Sequence, residues 1–430
     1  MSRSYKKFLL LCFAGLVSAT GSGMTSFALG VYIYKKTLLS SMAGLLLLAG
    51  FLPGLLLAPV SGVLADRYDR RLLMMAGDGL SMTGVLIVLT SVSILEGSAL
   101  IFGITVGVAV SSAFSSLVEP AFRATVSDLL EKEEYSKASG MMQLVSSARY
   151  LLSPVLAGLV LSLWGIRTIL ILDLMTVLLT LPITHFVRRE MKTTRKISPP
   201  CFKEEFRTGL RLICDKKGIL LLVLFGILVS FCLGTIQTLM TPMILAFADE
   251  SFLGFSTTFS ACGMLAGGLF LSTIRLDKGF SRILGISLFF IGVCMVGFSA
   301  REERIFICVF GFLIFAALPF ANTAIDYLVR TNIEAENQGK VWGLIGLISQ
   351  AGYIVAYAVV GVLVDLVGKP LLMEGGILSK NLGQLIGVGE GRGAALFIIS
   401  AGVLLSISAA TLSQKHEIKE LEEDHVLEAV

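Results

Sequence analysis

Few charged side chains fall inside the apolar stretches of this 430-residue chain, and those few bound the chemistry it could perform. Glu119 and Arg123 stand one helical turn apart and face the same way. A carboxylate so placed is a candidate proton carrier, and Pro120 beside it has no N–H to give, which lets the backbone deform there. The plainer alternative is a structural pair that neutralises itself, leaving Asp326 or Asp365 to do the work. Arg149 lies near the middle of another apolar stretch, with Gln143, Ser146 and Ser153 on about the same face. A lipid-facing arginine would cost about 2.5–3.5 kcal/mol, so Arg149 is expected to face protein or water and to be a binding or coupling residue in a water-accessible cavity. No phosphate-binding loop with a Gly-Lys-Ser/Thr end, no HExxH and no convincing nucleophile elbow is present. His185, His416 and His425 are scattered, and the seven cysteines form no CxxC pair. The expectation is a non-enzyme with no metal and no cofactor. Gly389, Gly391 and Ala394 match a dinucleotide fingerprint only weakly, without the preceding strand that would give it meaning.

The elements that hold these residues are read from composition. The chain is 55% hydrophobic and 15% charged, with a mean hydropathy of +0.84. A soluble core does not need so much apolar sequence, and the lipid bilayer is the expected surrounding partner. The net charge of +4 does not point to nucleic acid, because the basic residues sit between the apolar runs. Twelve spans are expected, near 8–34, 43–65, 72–95, 98–126, 137–162, 165–187, 218–247, 253–275, 281–299, 302–328, 339–367 and 388–412. Each is close to the ~20 residues that a ~30 Å slab requires, and helices alone satisfy every backbone group within one segment. The run after Lys6-Lys7 is too long for a signal peptide and reads as a retained first span. Lys and Arg favour one side by about three to one, which places both termini in the cytoplasm, although Lys35 and Lys36 go against the rule.

The chain divides and repeats. A six-helix half over 1–187 is expected, then a basic linker over 188–217, a second half over 218–412 and a tail over 413–430. Within the linker, Phe202, Phe206, Leu210 and Ile213 fall at helical spacing after Pro199-Pro200, as in an amphipathic helix on the inner membrane surface. Residues 119–165 align with 322–368 without a gap, pairing Ala121 with Ala324, Val126 with Val329, Glu131 with Glu334, Gly140 with Gly343, Gly158 with Gly361 and Gly165 with Gly368. Asn322 and Asp326 take the places of Glu119 and Arg123. Parallel repeats of this kind are a transporter architecture, with the solute site near the midplane.

The loop Gly62-Val-Leu-Ala-Asp66-Arg67-Tyr-Asp69-Arg70-Arg71 joins two spans. It resembles the signature loop between helices 2 and 3 of the major facilitator superfamily, matching at Gly62, Leu64, Ala65, Asp66, Arg67, Arg70 and Arg71. Asp69 stands where many members have glycine, a variant similar to the branch of macrolide-efflux and siderophore exporters. Pro154 and Gly158 resemble the antiporter-associated motif of helix 5, with Ser153 and Ala157 replacing two of its glycines. The outer loop from Pro370-Leu371-Leu372-Met373 to Gly389-Glu-Gly391-Arg392-Gly393 is similar to that of the same branch. The resemblance implies an all-α membrane fold of two pseudo-symmetric six-helix halves, multi-pass in the plasma (inner) membrane and monomeric. Its implied partners are a small-molecule substrate and protons, exchanged by antiport during export of a drug-like or amphipathic compound. A proton-linked importer, a lipid flippase and a transport-inactive receptor or scaffold are the alternatives. The resemblance places helices 1, 4, 7 and 10 around a central cavity and helix 6 at the periphery, which sets Asp173 aside. Polar candidates are Ser18, Thr20, Ser22, Thr25 and Ser26 in helix 1, Gln237, Thr238 and Thr241 in helix 7, and Gln350, Tyr353 and Tyr357 in helix 11. Asp66 is expected to act as a latch on the partly positive N-terminus of helix 11 near Gly339.

Overall fold

The structure is a computed structural model, and it describes residues 3–130, 134–188, 202–274, 276, 278–412, 415, 417–418 and 420–422. Among the described residues the chain is helical, without strands. In order come α1 (Arg3–Thr37), α2 (Ser40–Arg67), α3 (Arg70–Ile94), α4 (Gly97–Ser115), α5 (Val118–Leu129), α6 (Tyr135–Leu151) and α7 (Ser153–Arg188). Then follow α8 (Phe202–Asp215), α9 (Lys217–Leu245), α10 (Glu250–Thr273), α11 (Phe280–Ala300), α12 (Arg304–Asn332) and α13 (Ala335–Ser349). Residues 351–372 continue as short α-turns interrupted by π-turns at Ala356–Val360 and Val364–Gly368. The last elements are α14 (Leu382–Ile386) and α15 (Arg392–Leu412).

Eleven described stretches are long and apolar enough to cross a membrane. One of them, Lys137–Phe186, has 50 residues. Unbroken, it would run about 75 Å, more than twice the slab. The chain turns instead at Gly165, whose φ of 76° and ψ of 180° suit glycine and little else, so this stretch holds two spans. Side chains such as Phe102, Leu56 and Leu269, about 70% exposed, leave an apolar outer surface that lipid rather than water would cover.

Two expected spans are broken where the hydropathy of the sequence runs on. The fourth turns at Ser116-Leu117, and α5 then carries Pro120 in its first turn. The fifth breaks at Leu152, and α7 begins Ser153-Pro154. Proline tolerates the first helical turn because an N–H there has no intrahelical acceptor, so both breaks fall just upstream of the ring.

The chain forms two compact units. The first comprises 1–38, 45–199 and 250–258. In it α1 packs along α6 and α7, and α3 along α4 and α7. Phe8, Leu11, Cys12, Leu130 and Ala138 are buried together, and Phe122 joins them to a second cluster of Ala65, Met74 and Ala121. The second unit comprises 39–44, 200–249 and 259–430. Here α11 packs on α12 and α15, α9 packs on α15 and on Ala351–Val355, and α8 lies on α13. Ile213 of α8 is buried, whereas Phe206 and Leu210 are exposed. The end of the chain closes this unit, with Ile418 and Leu421 buried.

Candidate functional site

A polar cluster inside an apolar region lies in the first unit, where α1 meets α6 and α7. Two glycines on α1 let it form. A Cβ at Gly21 would lie 2.6 Å from Thr176 Oγ1 and 2.9 Å from Asp173 Oδ1. A Cβ at Gly23 would lie 2.3 Å from Ser153 Oγ and 3.1 Å from Arg149 Cγ. Without these side chains, α1 settles directly onto the polar groups of its neighbours. Ser153 Oγ donates to Thr20 O at 3.0 Å and ties α1 to the start of α7.

Asp173 is the centre of the cluster. It is buried, with 3% of its surface exposed. Thr25, Thr176, Arg149 and Asp78 all lie within its electrostatic reach. The Thr176 hydroxyl is already spent on Asp173 O, at 2.7 Å. Thr25 is buried, and its Oγ1 faces the Asp173 carboxylate while making no close hydrogen bond elsewhere. Asp78, on α3, is partly buried. The cluster thus sets two carboxylates, one guanidinium and a spare hydroxyl in a membrane-spanning region, where unpaired charge is costly.

The remaining candidates of this unit sit elsewhere. Arg123 donates to Glu119 Oε1 through Nε at 3.1 Å and Nη2 at 2.7 Å. Both side chains are about two-thirds exposed. Gln143 and Ser146 are exposed, as is the Arg149 side chain beyond its contact with Gly23. Pro154 and Gly158 are buried against the first turns of α10, where a Cβ on Gly158 would lie 2.6 Å from Glu250 O. Lys35 pairs with Glu250 at the same end. In the loop between α2 and α3, Gly62 has open space around it and Arg70 Nε donates to Ala65 O at 3.3 Å. The side chains of Asp66, Arg67 and Arg71 lie outside the described residues.

In the second unit, the Tyr357 hydroxyl donates to Gln237 Oε1, and the Tyr353 ring lies 5.8 Å from that of Tyr357. Gln350 is half-buried at the end of α13, and Asn322 is exposed. Arg330 Nε donates to Asp326 Oδ2 at 2.7 Å, with both side chains substantially exposed. Asp365 is largely buried, receives the backbone N–H groups of Ser40 and Ser41, and has Lys369 Nζ at 3.1 Å.

Sequence reasoning passed over Asp78. The signal was there, because an acid between Gly77 and Gly79 within a long apolar run is an intramembrane charge. It falls inside the expected span 72–95, but nothing near it in the sequence pairs it with another charge of that span.

The sequence profile of the Major Facilitator Superfamily matches residues 11–357. Macrolide efflux protein A of Streptococcus pyogenes is 26% identical over 390 residues, covering 84% of this chain and 90% of that protein. Macrolide efflux protein A of Enterococcus faecalis is 26% identical over 328 residues, covering 72% of this chain and 97% of that protein. A bacterial homologue of the human lysosomal transporter Spinster, solved inward-facing and unoccupied, matches with a TM-score of 0.72 at 14% identity, covering 98% of this chain and 99% of that one. A bacterial homologue of the iron transporter ferroportin, also inward-facing, matches with a TM-score of 0.70 at 14% identity, covering 96% and 100%. At such identities the two structures speak for the fold alone.

Proposed function

The chain belongs to the Major Facilitator Superfamily, and from that premise we propose that this transporter exports an amphipathic small molecule of the macrolide kind in exchange for protons. The observation that carries the reading is the near-full-length similarity to proteins named for macrolide efflux. The polar groups of α1, α6 and α9 fit it. Hydroxyls and amides among apolar side chains suit a solute that is largely uncharged and greasy. A multiply charged one would call for more fixed charge than the spans hold.

In this reading the protein is a multi-pass protein of the plasma membrane with both termini in the cytoplasm, following the bias of basic residues. The Gly62–Arg71 loop then faces the cytoplasm, where Asp66 latches onto a helix N-terminus and releases it as the transporter changes state. Proton exchange supplies the drive, since the sequence contains no phosphate-binding loop for direct use of ATP.

The test is accumulation of a radiolabelled macrolide in cells with and without the protein. Expression should lower accumulation several-fold, and a protonophore should restore it. Equal accumulation in both cell lines, across a panel of macrolides, dyes and siderophores, would remove the reading.

A further inference from the structure

We infer that Asp78 and Asp173, with Arg149 and the Thr25 hydroxyl, form a shared proton site inside the first unit. The inference deepens the proton-exchange reading above and rests on it for its role in transport.

Asp78 lies about 12 Å along α3 from Arg70, and Asp173 about 12 Å along its helix from the turn at Gly165. Those two ends begin the third and the sixth expected crossings, which enter from opposite faces. In a slab of about 30 Å, both carboxylates therefore lie close to the midplane, offset by about 6 Å along the normal. Each is nearer to a different face.

The ionised carboxylates and the guanidinium of Arg149 sum to one net negative charge. Adding one proton brings the group to neutrality, the state that the buried surroundings of Asp173 favour, while the Arg149 side chain itself is exposed. Like charges within electrostatic range of each other disfavour the state in which both are ionised. Among the described side chains, the other elements packed on the pair add no charge beside it: α1 brings Gly21, Gly23 and Thr25, and α4 brings only apolar and hydroxyl side chains. On α5, Glu119 and Arg123 are paired with each other and exposed.

Thr25 is the independent sign of a ligand. Its hydroxyl is buried, makes no close hydrogen bond, and faces the Asp173 carboxylate as its one available partner. A hydroxyl can accept from a protonated carboxyl and donate to an ionised one, so it serves Asp173 in either state. A bare metal cation fits less well. It would lie beside the guanidinium of Arg149, whose positive charge repels it.

The experiment uses the full-length protein in lipid nanodiscs without substrate. Infrared difference spectra across a pH series follow the C=O stretch of protonated carboxyl groups. The wild type should show a titrating band that is lost in Asp173→Asn and moves by at least one pH unit in Asp78→Asn. Asp173→Glu should restore it, and Glu303→Gln, on an exposed loop, should leave it in place. A band unchanged in both aspartate variants, or one lost only in Glu119→Gln, would overturn the site. So would a titration that sodium shifts by a unit or more, which would mark a metal-cation site. Proteoliposomes supply the second arm, in which a macrolide gradient should drive proton movement that falls at least tenfold in Asp173→Asn. Absence of that movement in the wild type would defeat the export reading, while the proton site would still stand or fall by the infrared band.

Discussion

The carboxylate of Asp365 receives the backbone N–H of Ser41 at 2.7 Å and that of Ser40 at 2.9 Å. The first turn of α2 contains no acid of its own, and Asp365 supplies from 324 residues away what a local cap would supply elsewhere. Lys369 Nζ balances the charge at 3.1 Å, and the Asp365 side chain is only 9% exposed. Asp365→Ala would leave two N–H groups and a mostly buried ammonium without their partner. We expect a loss of about 3–5 kcal/mol, read as a lower midpoint in thermal unfolding of the detergent-solubilised protein. Asp365→Asn, which keeps one acceptor, should lose less. Equal midpoints for Asp365→Ala and the wild type would show that the cap is not structural.

Gly21 is a place where a single methyl group decides the packing. A Cβ would stand 2.6 Å from Thr176 Oγ1 and 2.9 Å from Asp173 Oδ1, so α1 or α7 must shift in Gly21→Ala. Overpacking of this kind costs about 1–3 kcal/mol. Lower thermal stability together with lower efflux is expected. Gly30→Ala makes the control, because a Cβ there meets nothing within 4 Å.

Glu422 caps α11 in a similar way, from the end of the chain. Gly279, Phe280 and Ser281 donate their backbone N–H groups to it, and Ser281 Oγ donates at 2.7 Å. Burial pushes this carboxyl up, but the hydrogen bonds more than offset that, from the Ser281 hydroxyl and N–H and from Gly279 and Phe280. The group ends below its ordinary value of 4.5. A depressed carboxyl stabilises the docked tail at pH values above 4.5, and the stabilisation is lost as pH falls through the lower, docked value. At neutral pH, Glu422→Gln should weaken docking by about 1 kcal/mol, seen as roughly fivefold faster hydrogen exchange at residues 279–281. The difference between variant and wild type, compared at matched pH, should vanish on acidification. A difference that persists at low pH would refute the role of the charge.

Arg149 is expected to act through its planar fork as well as its charge. Arg149→Lys should therefore reduce efflux at least fivefold while surface expression stays normal. If Arg149→Leu transports at the wild-type rate, only its packing against Gly23 matters.

For the loop between α2 and α3, Asp66→Asn should slow efflux with expression unchanged, because the latch is worth only about 0.3–1 kcal/mol and acts on gating rather than folding. An unaltered rate would dispose of the latch.

Much of the fold was legible in the sequence because lipid leaves little choice. Apolar runs of membrane length must become helices, since no water is present to satisfy an open backbone. Those runs, the Gly62–Arg71 loop and the repeat are enough to point to the family without the tertiary structure. The breaks at Ser116 and Leu152 are less visible in sequence, although Pro120 and Pro154 stand just after them. The repeat pairs Gly158 with Gly361, and a Cβ on either would run into backbone at the start of another helix, Glu250 O at 2.6 Å and Ser40 O at 2.5 Å. Gly165 and Gly368 pair in sequence too, yet the first turns the chain at φ 76° while the second stays within the π-turn at Val364–Gly368.

The polar cluster is what only the tertiary structure decided. From sequence, Asp173 was an acid on a helix assigned to the periphery, Asp78 had no other charge of its span to pair with, and Thr25 was one hydroxyl among five on α1. What joins them is the close approach of α1 to α7 at Gly21, and of α7 to α3. Hydropathy records how deep each residue lies along its own helix. It carries no information on which helices touch, or at what rotation, because lipid and a neighbouring helix are almost equally apolar. Contacts between small residues and side-chain hydrogen bonds settle that choice, and they exist only once the helices have packed.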